Sequence, residues 1–272
     1  MLVSLIKIKS IIYRLIKKSV EDDILAISSQ LAYSLLLAVF PFLIFIITLV
    51  GYSNIKVSDI MNNLRSFVPI EVYGLLSKTI SEVKFTRNSG ILSFSILFTM
   101  WSASTGLNAV IKGLNKAYNE KECRNFIVSQ ITAVILTITL AIIIVIVVIF
   151  LVFGEASGHI LLTWLGIGTK FKILWYVVRY IFMVLITTVV FSFLYIYGPC
   201  KKHSLKSVLP GAILSSLGWI VSSLAFSFYI NNFSNYSKIY GGLGAVIILM
   251  LWLLVSSFVI ILGGELNSVL LS

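Results

Sequence analysis

The polar side chains best placed to do chemistry stand in two parts of this sequence. One is the run Trp101-Ser102-Ala103-Ser104-Thr105-Gly106-Leu107-Asn108, where an apolar stretch would ordinarily carry leucines. Hydroxyls, a glycine and an amide at such positions either tie helices together or line a polar path for a solute. Asn115, Tyr118 and Arg124 follow at the end of the same stretch, placed to gate that path or to anchor the helix. The other is Glu265, directly after Gly263-Gly264 and two residues before Asn267. A carboxylate at a helix boundary is solvated or paired with a lysine. Turned inward, it would serve proton or cation coupling.

Catalysis is not expected. Asp22, Asp23, Asp59, Glu71, Glu82, Glu120, Glu122 and Glu155 are scattered, and neither His159 nor His203 has a ligand neighbour at i, i+4 spacing. Gly241-Gly242-Leu243-Gly244 lacks the lysine of a phosphate loop. The sequence therefore predicts no enzyme, no cofactor and no metal site. Three residues could instead bend or hinge the backbone, namely Pro41 within an apolar span, Gly106 and Gly211. Pro210-Gly211 also reads as a helix start.

Composition defines the frame that must hold these groups. Of 272 residues, 59% are hydrophobic and 11% charged, against roughly 25% charged in a soluble domain. So little charge cannot cover a water-facing surface, which makes lipid the solvent. A helix needs about 20 apolar residues to cross the hydrocarbon. The uncharged runs predict spans near 24–52, 89–111, 127–153, 173–198, 207–230 and 242–265, within one domain over 1–272. The expected fold is an all-α polytopic bundle of about six transmembrane helices. An N-terminal interfacial helix precedes them, its apolar Ile12, Tyr13 and Ile16 opposite lysines. Residues 53–87 read as amphipathic extracytoplasmic helices broken at Pro69, and 156–169 as a glycine-punctuated interfacial segment.

Charge sets the expected orientation. With the N-terminus inside, twelve of the 21 Lys and Arg fall in cytoplasmic segments: Lys7, Lys9, Arg14, Lys17, Lys18, Lys112, Lys116, Lys121, Arg124, Lys201, Lys202 and Lys206. Both termini are thus expected in the cytoplasm. Cys123 and Cys200 then lie in cytoplasmic loops, where reduced thiols are expected. The net charge of +11 points to anionic headgroups rather than nucleic acid.

With these residues in view, the chain resembles the YihY/BrkB family of bacterial inner-membrane proteins, once named ribonuclease BN. The likeness is carried by Leu31-Ala32-Tyr33 and Phe40-Pro41, then by Trp101-Ser102-Ala103-Ser104 leading to Leu114-Asn115-Lys116-Ala117-Tyr118 and Arg124. It continues through Leu209-Pro210-Gly211-Ala212 with Trp219, and Tyr240-Gly241 through Trp252 to Leu262-Gly263-Gly264-Glu265-Leu266-Asn267. The resemblance implies a six-helix bundle in the plasma membrane and does not imply a nuclease. The function expected is transport or translocation of a lipid or other amphiphile, the alternative being a non-transporting scaffold or envelope-assembly factor. Membrane lipids are the expected partners, with a homo-oligomer or an envelope protein as further possibilities.

Overall fold

The structure, a computed structural model, describes residues 2–51, 73–74, 77, 89–165, 170–233 and 243–271. The segment 53–87, read above as amphipathic helices, lies outside the described residues except at 73–74 and 77. Among the described residues the chain is helical, with no strand. Its long helices are α1 (Leu2–Glu21), α2 (Ile24–Gly51), α3 (Ser89–Ala117), α4 (Phe126–Leu165), α5 (Lys170–Tyr197), α6 (Leu205–Phe233) and α7 (Leu243–Leu271). Four contain windows long and apolar enough to cross a membrane: Ile24–Phe42, Phe126–Ile146, Leu205–Ile230 and Leu243–Leu271. Helix is the form such sequences must take in hydrocarbon, because it satisfies each backbone N–H and C=O within the segment.

The packing follows chain order. Helix α2 lies on α3, α3 on α4, α4 on α5, α5 on α6 and α6 on α7, and α7 returns to α2 to close a ring. Helix α3 also touches α7, and α1 rests against α7 from outside the ring. Ile131, Ile135, Ile142 and Ile146 of α4 all point outward. Water would penalise that stripe and lipid accepts it. On α1, Ile12, Tyr13, Ile16 and Val20 are likewise exposed, as suits a helix lying in a membrane interface.

Two expectations are corrected. Residues 156–165 do not form a separate interfacial segment but continue α4, which runs unbroken from Phe126 to Leu165. At about 1.5 Å per residue this helix is longer than a bilayer is thick, so its ends extend beyond the hydrocarbon. Nor does Pro210-Gly211 start α6. That helix begins at Leu205 behind Ser204, whose carbonyl accepts from the N–H groups of Ser207 and Val208, and Pro210 sits inside its second turn. Pro41 likewise lies within a continuous α2.

The fully described connections, α1–α2, α3–α4 and α5–α6, gather at one end, which carries Lys18, Lys112, Lys116, Arg124, Lys201 and Lys202 and is called the basic end below. Asp23, with φ 51°, turns the chain between α1 and α2. Helix α3 stops at Asn119, φ 55°, in a Schellman closure. The Asn119 N–H donates to Lys116 O at 3.0 Å and the Glu120 N–H to Asn115 O at 2.8 Å. Asn125 then caps α4, its Oδ1 accepting from the Val128 N–H at 2.9 Å. These turns deliver Asn115, Tyr118 and Arg124 to one place.

Helices α6 and α7 meet backbone to backbone. A Cβ on Gly263 would stand 2.0 Å from Ser215 Oγ and 2.7 Å from Gly211 O, and one on Gly211 would stand 2.1 Å from Gly263 O. Gly211 is therefore a packing glycine, held in contact with its neighbour. Gly263→Ala is expected to lower stability by about 2–3 kcal/mol, since rigid backbone cannot move aside. Gly218→Ala, which meets only a Val259 methyl at 3.2 Å, should cost less than half of that. Thermal unfolding of the detergent-solubilised variants measures both, and equal losses would contradict the close-approach account.

Candidate functional site: polar latch and lateral groove

At the basic end the structure draws Glu265 inward, to 0% exposure. Lys18 of α1 reaches it, with Nζ 2.8 Å from Oε2, and also pairs with Asp22. The Lys18–Glu265 contact is an ion pair by distance without hydrogen-bond alignment, and Oε1 has no hydrogen-bond partner among the described residues. Burial alone would lower the Lys18 pKa, but the contacts and charges of Asp22 and Glu265 outweigh it and hold the ammonium above its ordinary 10.5. A carboxylate placed at a boundary in the sequence is thus sealed, and its counterion comes from the interfacial helix. Sequence reading saw Lys18 only as one basic residue of a membrane-surface face.

Asn267 follows Glu265 by two residues, which turns its side chain to another side of α7. The Asn267 side chain is fully buried; its Oδ1 accepts from the Gly211 N–H at 2.7 Å and its Nδ2 donates to the Tyr118 hydroxyl at 3.0 Å. Tyr118 stacks on His203 with ring centroids 4.4 Å apart. Its phenol is pushed up by burial, against the opposing bond from Asn267 and with the charge of Glu120. His203 Nε2 lies 3.3 Å from Glu120 Oε1, and Glu120 Oε2 accepts from the Lys201 N–H at 2.7 Å. Asn115 donates to Glu122 and accepts from the Cys200 N–H, each at 2.8 Å. Arg124 donates to the carbonyls of Gly198 (2.9 Å) and Pro199 (2.8 Å), covering the end of α5 where the helix dipole is negative. The predicted gate residues therefore form a bonded latch joining α3, α7, α1 and the 198–204 loop. Arg124 is an anchor.

The polar run of α3 divides in two. Ser104 and Asn108 face α4, where Gln130 Nε2 donates to Ser104 Oγ at 2.7 Å and Asn108 Nδ2 donates to Gln130 Oε1 at 3.1 Å. Ser129 completes the set, donating to Asn108 Oδ1 at 3.0 Å. Ser102 lends its carbonyl to Thr105, and Trp101 points outward, 52% exposed. On the opposite side, towards α2, Gly106 allows close contact, since a Cβ there would stand 2.7 Å from Ala38 Cβ. Between that contact and the basic end α2 and α3 diverge around a groove of about 350 Å³. Gln30, Ser34, Thr105, Asn108, Lys112 and Lys116 supply its polar lining. Gln30, Lys112 and Gln130 were missed in the sequence. The signal for the glutamines was present, an amide within each of two predicted spans.

The expectation of free thiols is overturned, because Cys123 and Cys200 form a disulfide with Cα atoms 5.9 Å apart. Both cysteines do lie in loops of the basic end. Their separation of 77 residues hid the pairing, which arises because the latch folds the two loops together. Glu122 presents a carboxylate oxygen within 4.8 Å of both sulfurs, a grouping equally hidden in the sequence. While paired, the sulfurs are not thiolates, the form that binds metals.

Comparison with known proteins agrees with this architecture. The family model described as Virulence factor BrkB matches residues 15–272. YfkH of Bacillus subtilis, named for a likeness to ribonucleases, is 40% identical over 243 residues, 89% of this chain and 88% of its own. A UPF0761 membrane protein of Haemophilus influenzae is 26% identical over 93% of this chain and 92% of its own, and one of Pseudoalteromonas atlantica is 25% identical over 92% and 82%. No solved structure matches the chain.

The latch yields two expectations. Lys18→Met leaves Glu265 buried and uncompensated and should cost about 3 kcal/mol; Glu265→Gln should cost about 1 kcal/mol, and the double variant should recover much of the first loss. Because the folded pKa of Lys18 lies above the unfolded value, its contribution is complete below pH 10.5 while Asp22 and Glu265 stay ionised, and it disappears as pH rises through the raised value. Thermal midpoints of the four proteins against pH check this, and additive losses in the double variant would contradict the pairing. For the cysteines, non-reducing electrophoresis of air-oxidised protein should show an intramolecular bond that the Cys200→Ser variant lacks.

Proposed function

The chain belongs to the Virulence factor BrkB family, and from that premise we propose that it is a bacterial plasma-membrane translocator of lipids or other amphiphiles, with six spans and both ends cytoplasmic. The observation that carries this reading is the groove between α2 and α3, where Gln30, Ser34, Thr105 and Asn108 stand beside apolar Ile27 and Leu31 and two lysines close the row. Polar lining on the lipid side of a bundle is costly unless something polar occupies it. Along the same two helices the outward residues change to Tyr33 and Leu37 on α2 and to Phe98 and Trp101 on α3, all more than half exposed. Charge, then hydrogen-bonding groups, then apolar surface follow one another along one face, which matches the order of parts in an amphiphile.

Catalysis is not part of this reading. Among the described carboxylates at the basic end, Glu21 pairs with Lys17, Asp22 and Glu265 with Lys18, Glu120 with His203 and the Lys201 N–H, and Glu122 with the Arg124 N–H. A scaffold is the second reading, favoured by the bonding of Ser104 and Asn108 across to α4. In that case the polar run is helix glue.

Reconstitution separates the two. Proteoliposomes carrying a fluorescent lipid in both leaflets should lose more than half of their signal to an impermeant quencher, as scrambling brings inner-leaflet lipid outward. Gly106→Leu, which crowds the α2–α3 contact, should slow this at least ten-fold. Wild-type proteoliposomes behaving like empty ones across anionic and neutral lipids would leave the scaffold reading standing.

A further inference from the structure

The lysine end of the groove has a chemistry more specific than "amphiphile". Lys112 and Lys116 stand one turn apart on α3, both exposed into the same groove, and neither has a carboxylate partner among the described residues. This contrasts with Lys17 and Lys18, which are paired with Glu21 and with Asp22 and Glu265. Two adjacent, unneutralised ammonium groups at the mouth of a partly closed groove form a site for a compact anion. Behind them, the Gln30 amide lines the groove from α2 with no side-chain partner among the described residues, and Ser34, Thr105 and Asn108, bonded to Gln30 O, Ser102 O and Gln130, continue inward.

Dimensions narrow the ligand. From Lys116 to Thr105 is eleven residues, about 16 Å of helix, close to the depth of one leaflet. A free anion would use only the first turn of that length. A phospholipid would use all of it. Its phosphate would meet the lysines, its glycerol and ester oxygens the Gln30 amide, and its acyl chains the exposed Leu37 and Trp101 beyond. Helices α2 and α3 close just past the polar lining, where Gly106 meets Ala38, so the groove holds a headgroup from one leaflet and does not run through the bundle.

We infer that the α2–α3 groove is a binding site for the phosphodiester headgroup of an anionic phospholipid, held by Lys112 and Lys116 with Gln30 as the uncharged donor. The assignment rests on the amphiphile reading above for its membrane setting and deepens it by naming the lipid class. Selectivity for anionic over zwitterionic headgroups follows from the absence of any groove carboxylate to receive a choline or an ethanolamine.

The test is lipid retention, read by native mass spectrometry on full-length protein. The protein is extracted in mild detergent and equilibrated with equal phosphatidylglycerol and phosphatidylcholine. Wild type should keep phosphatidylglycerol in preference, and Lys112→Ala/Lys116→Ala should reduce that retention roughly thirty-fold, about five-fold per lysine near an anionic surface. Lys121→Ala/Lys201→Ala, which removes as much charge from the loops outside the groove, should retain it as wild type does. Because Lys112 and Lys116 are exposed, unchanged thermal midpoints are expected and confirm folding; Gln30→Leu, an uncharged change in the same groove, gives a second reading if the lysine variant unfolds. Inorganic phosphate at ten-fold excess should not displace the lipid; displacement would assign the site to a free anion and overturn the proposal. Equal phosphatidylglycerol retention by wild type and groove variants would overturn it too, as would equal loss from the loop variant. Binding without scrambling would sink the translocator reading and leave this site standing, whereas scrambling without groove-dependent retention would do the reverse.

Discussion

Hydrocarbon offers no partner to a polar atom, so every donor, acceptor and charge inside this bundle must be satisfied by the protein or by what it binds. Glu265 is the severest case. A carboxylate with no exposed surface needs a cation, and the one within reach belongs to α1, a helix whose apolar residues otherwise face outward. The ion pair therefore fixes where α1 lies and ties an interfacial element to the innermost helix of the ring. From that point the chemistry propagates through Asn267 to Gly211 and Tyr118, through Tyr118 to His203, and through Asn115 to both loops. No member of this chain of contacts acts alone, since each closes a valence that lipid would leave open.

The same constraint makes the two sides of the ring unlike. On the α5–α6–α7 side, most hydroxyls are spent on carbonyls and on each other, Ser192 and Ser257 being buried without a partner among the described residues. Tyr195 donates to Ile260 O at 2.7 Å, Ser215 to Val259 O at 3.0 Å, and Trp219 and Trp252 each donate to a serine on the facing helix. The Gly211–Gly263 contact brings the helix backbones together there and removes any room between them. On the α2–α3 side the helices touch at Gly106 and Gly113 but separate between and around those points, leaving Gln30, Lys112 and Lys116 without side-chain partners among the described residues, while Ser34, Thr105 and Asn108 are bonded. One face of the molecule is packed backbone to backbone, and the other keeps an open groove with two unpaired ammonium groups.

Much of the fold was legible in the sequence because the hydrophobic signal in lipid is one-dimensional: an uncharged run long enough to cross must be helical. The polar run of α3 stood out for the same reason. Its division between α4 and α2 could not be read, because whether Asn108 bonds a helix or lines a groove depends on which neighbour supplies Gln130. Glu265 was flagged, yet the identity of its partner required α1 to fold back on α7, a contact more than 240 residues apart in sequence. The disulfide departs from the expectation of free thiols. Location in a loop argued for free thiols, while the geometry of the latch brings Cys123 and Cys200 to bonding distance. The helix over 156–165 was hidden by Gly158 and by Gly166 and Gly168 beyond it in the sequence, which read as interruptions.

Taken with the proposed lipid site, the asymmetry of the ring explains why the α2–α3 pair, rather than any other, suits passage of an amphiphile. Separating α6 from α7 would expose several satisfied hydrogen bonds to hydrocarbon at once. Separating α2 from α3 beyond the groove breaks contacts around Gly106 and Ala38, which are small and carry no side-chain polar atoms. Pro41 lies less than one turn past Ala38 and deprives α2 of a backbone hydrogen bond at that level, so α2 is weakest where it would have to bend. The latch acts at the opposite end of the same helices, where Asn115 and Tyr118 hold the end of α3 to the loops and to α7. Asn115 and Tyr118 thus keep the basic end of α3 bonded, while deeper in the pair meets through the small side chains at Gly106 and Ala38.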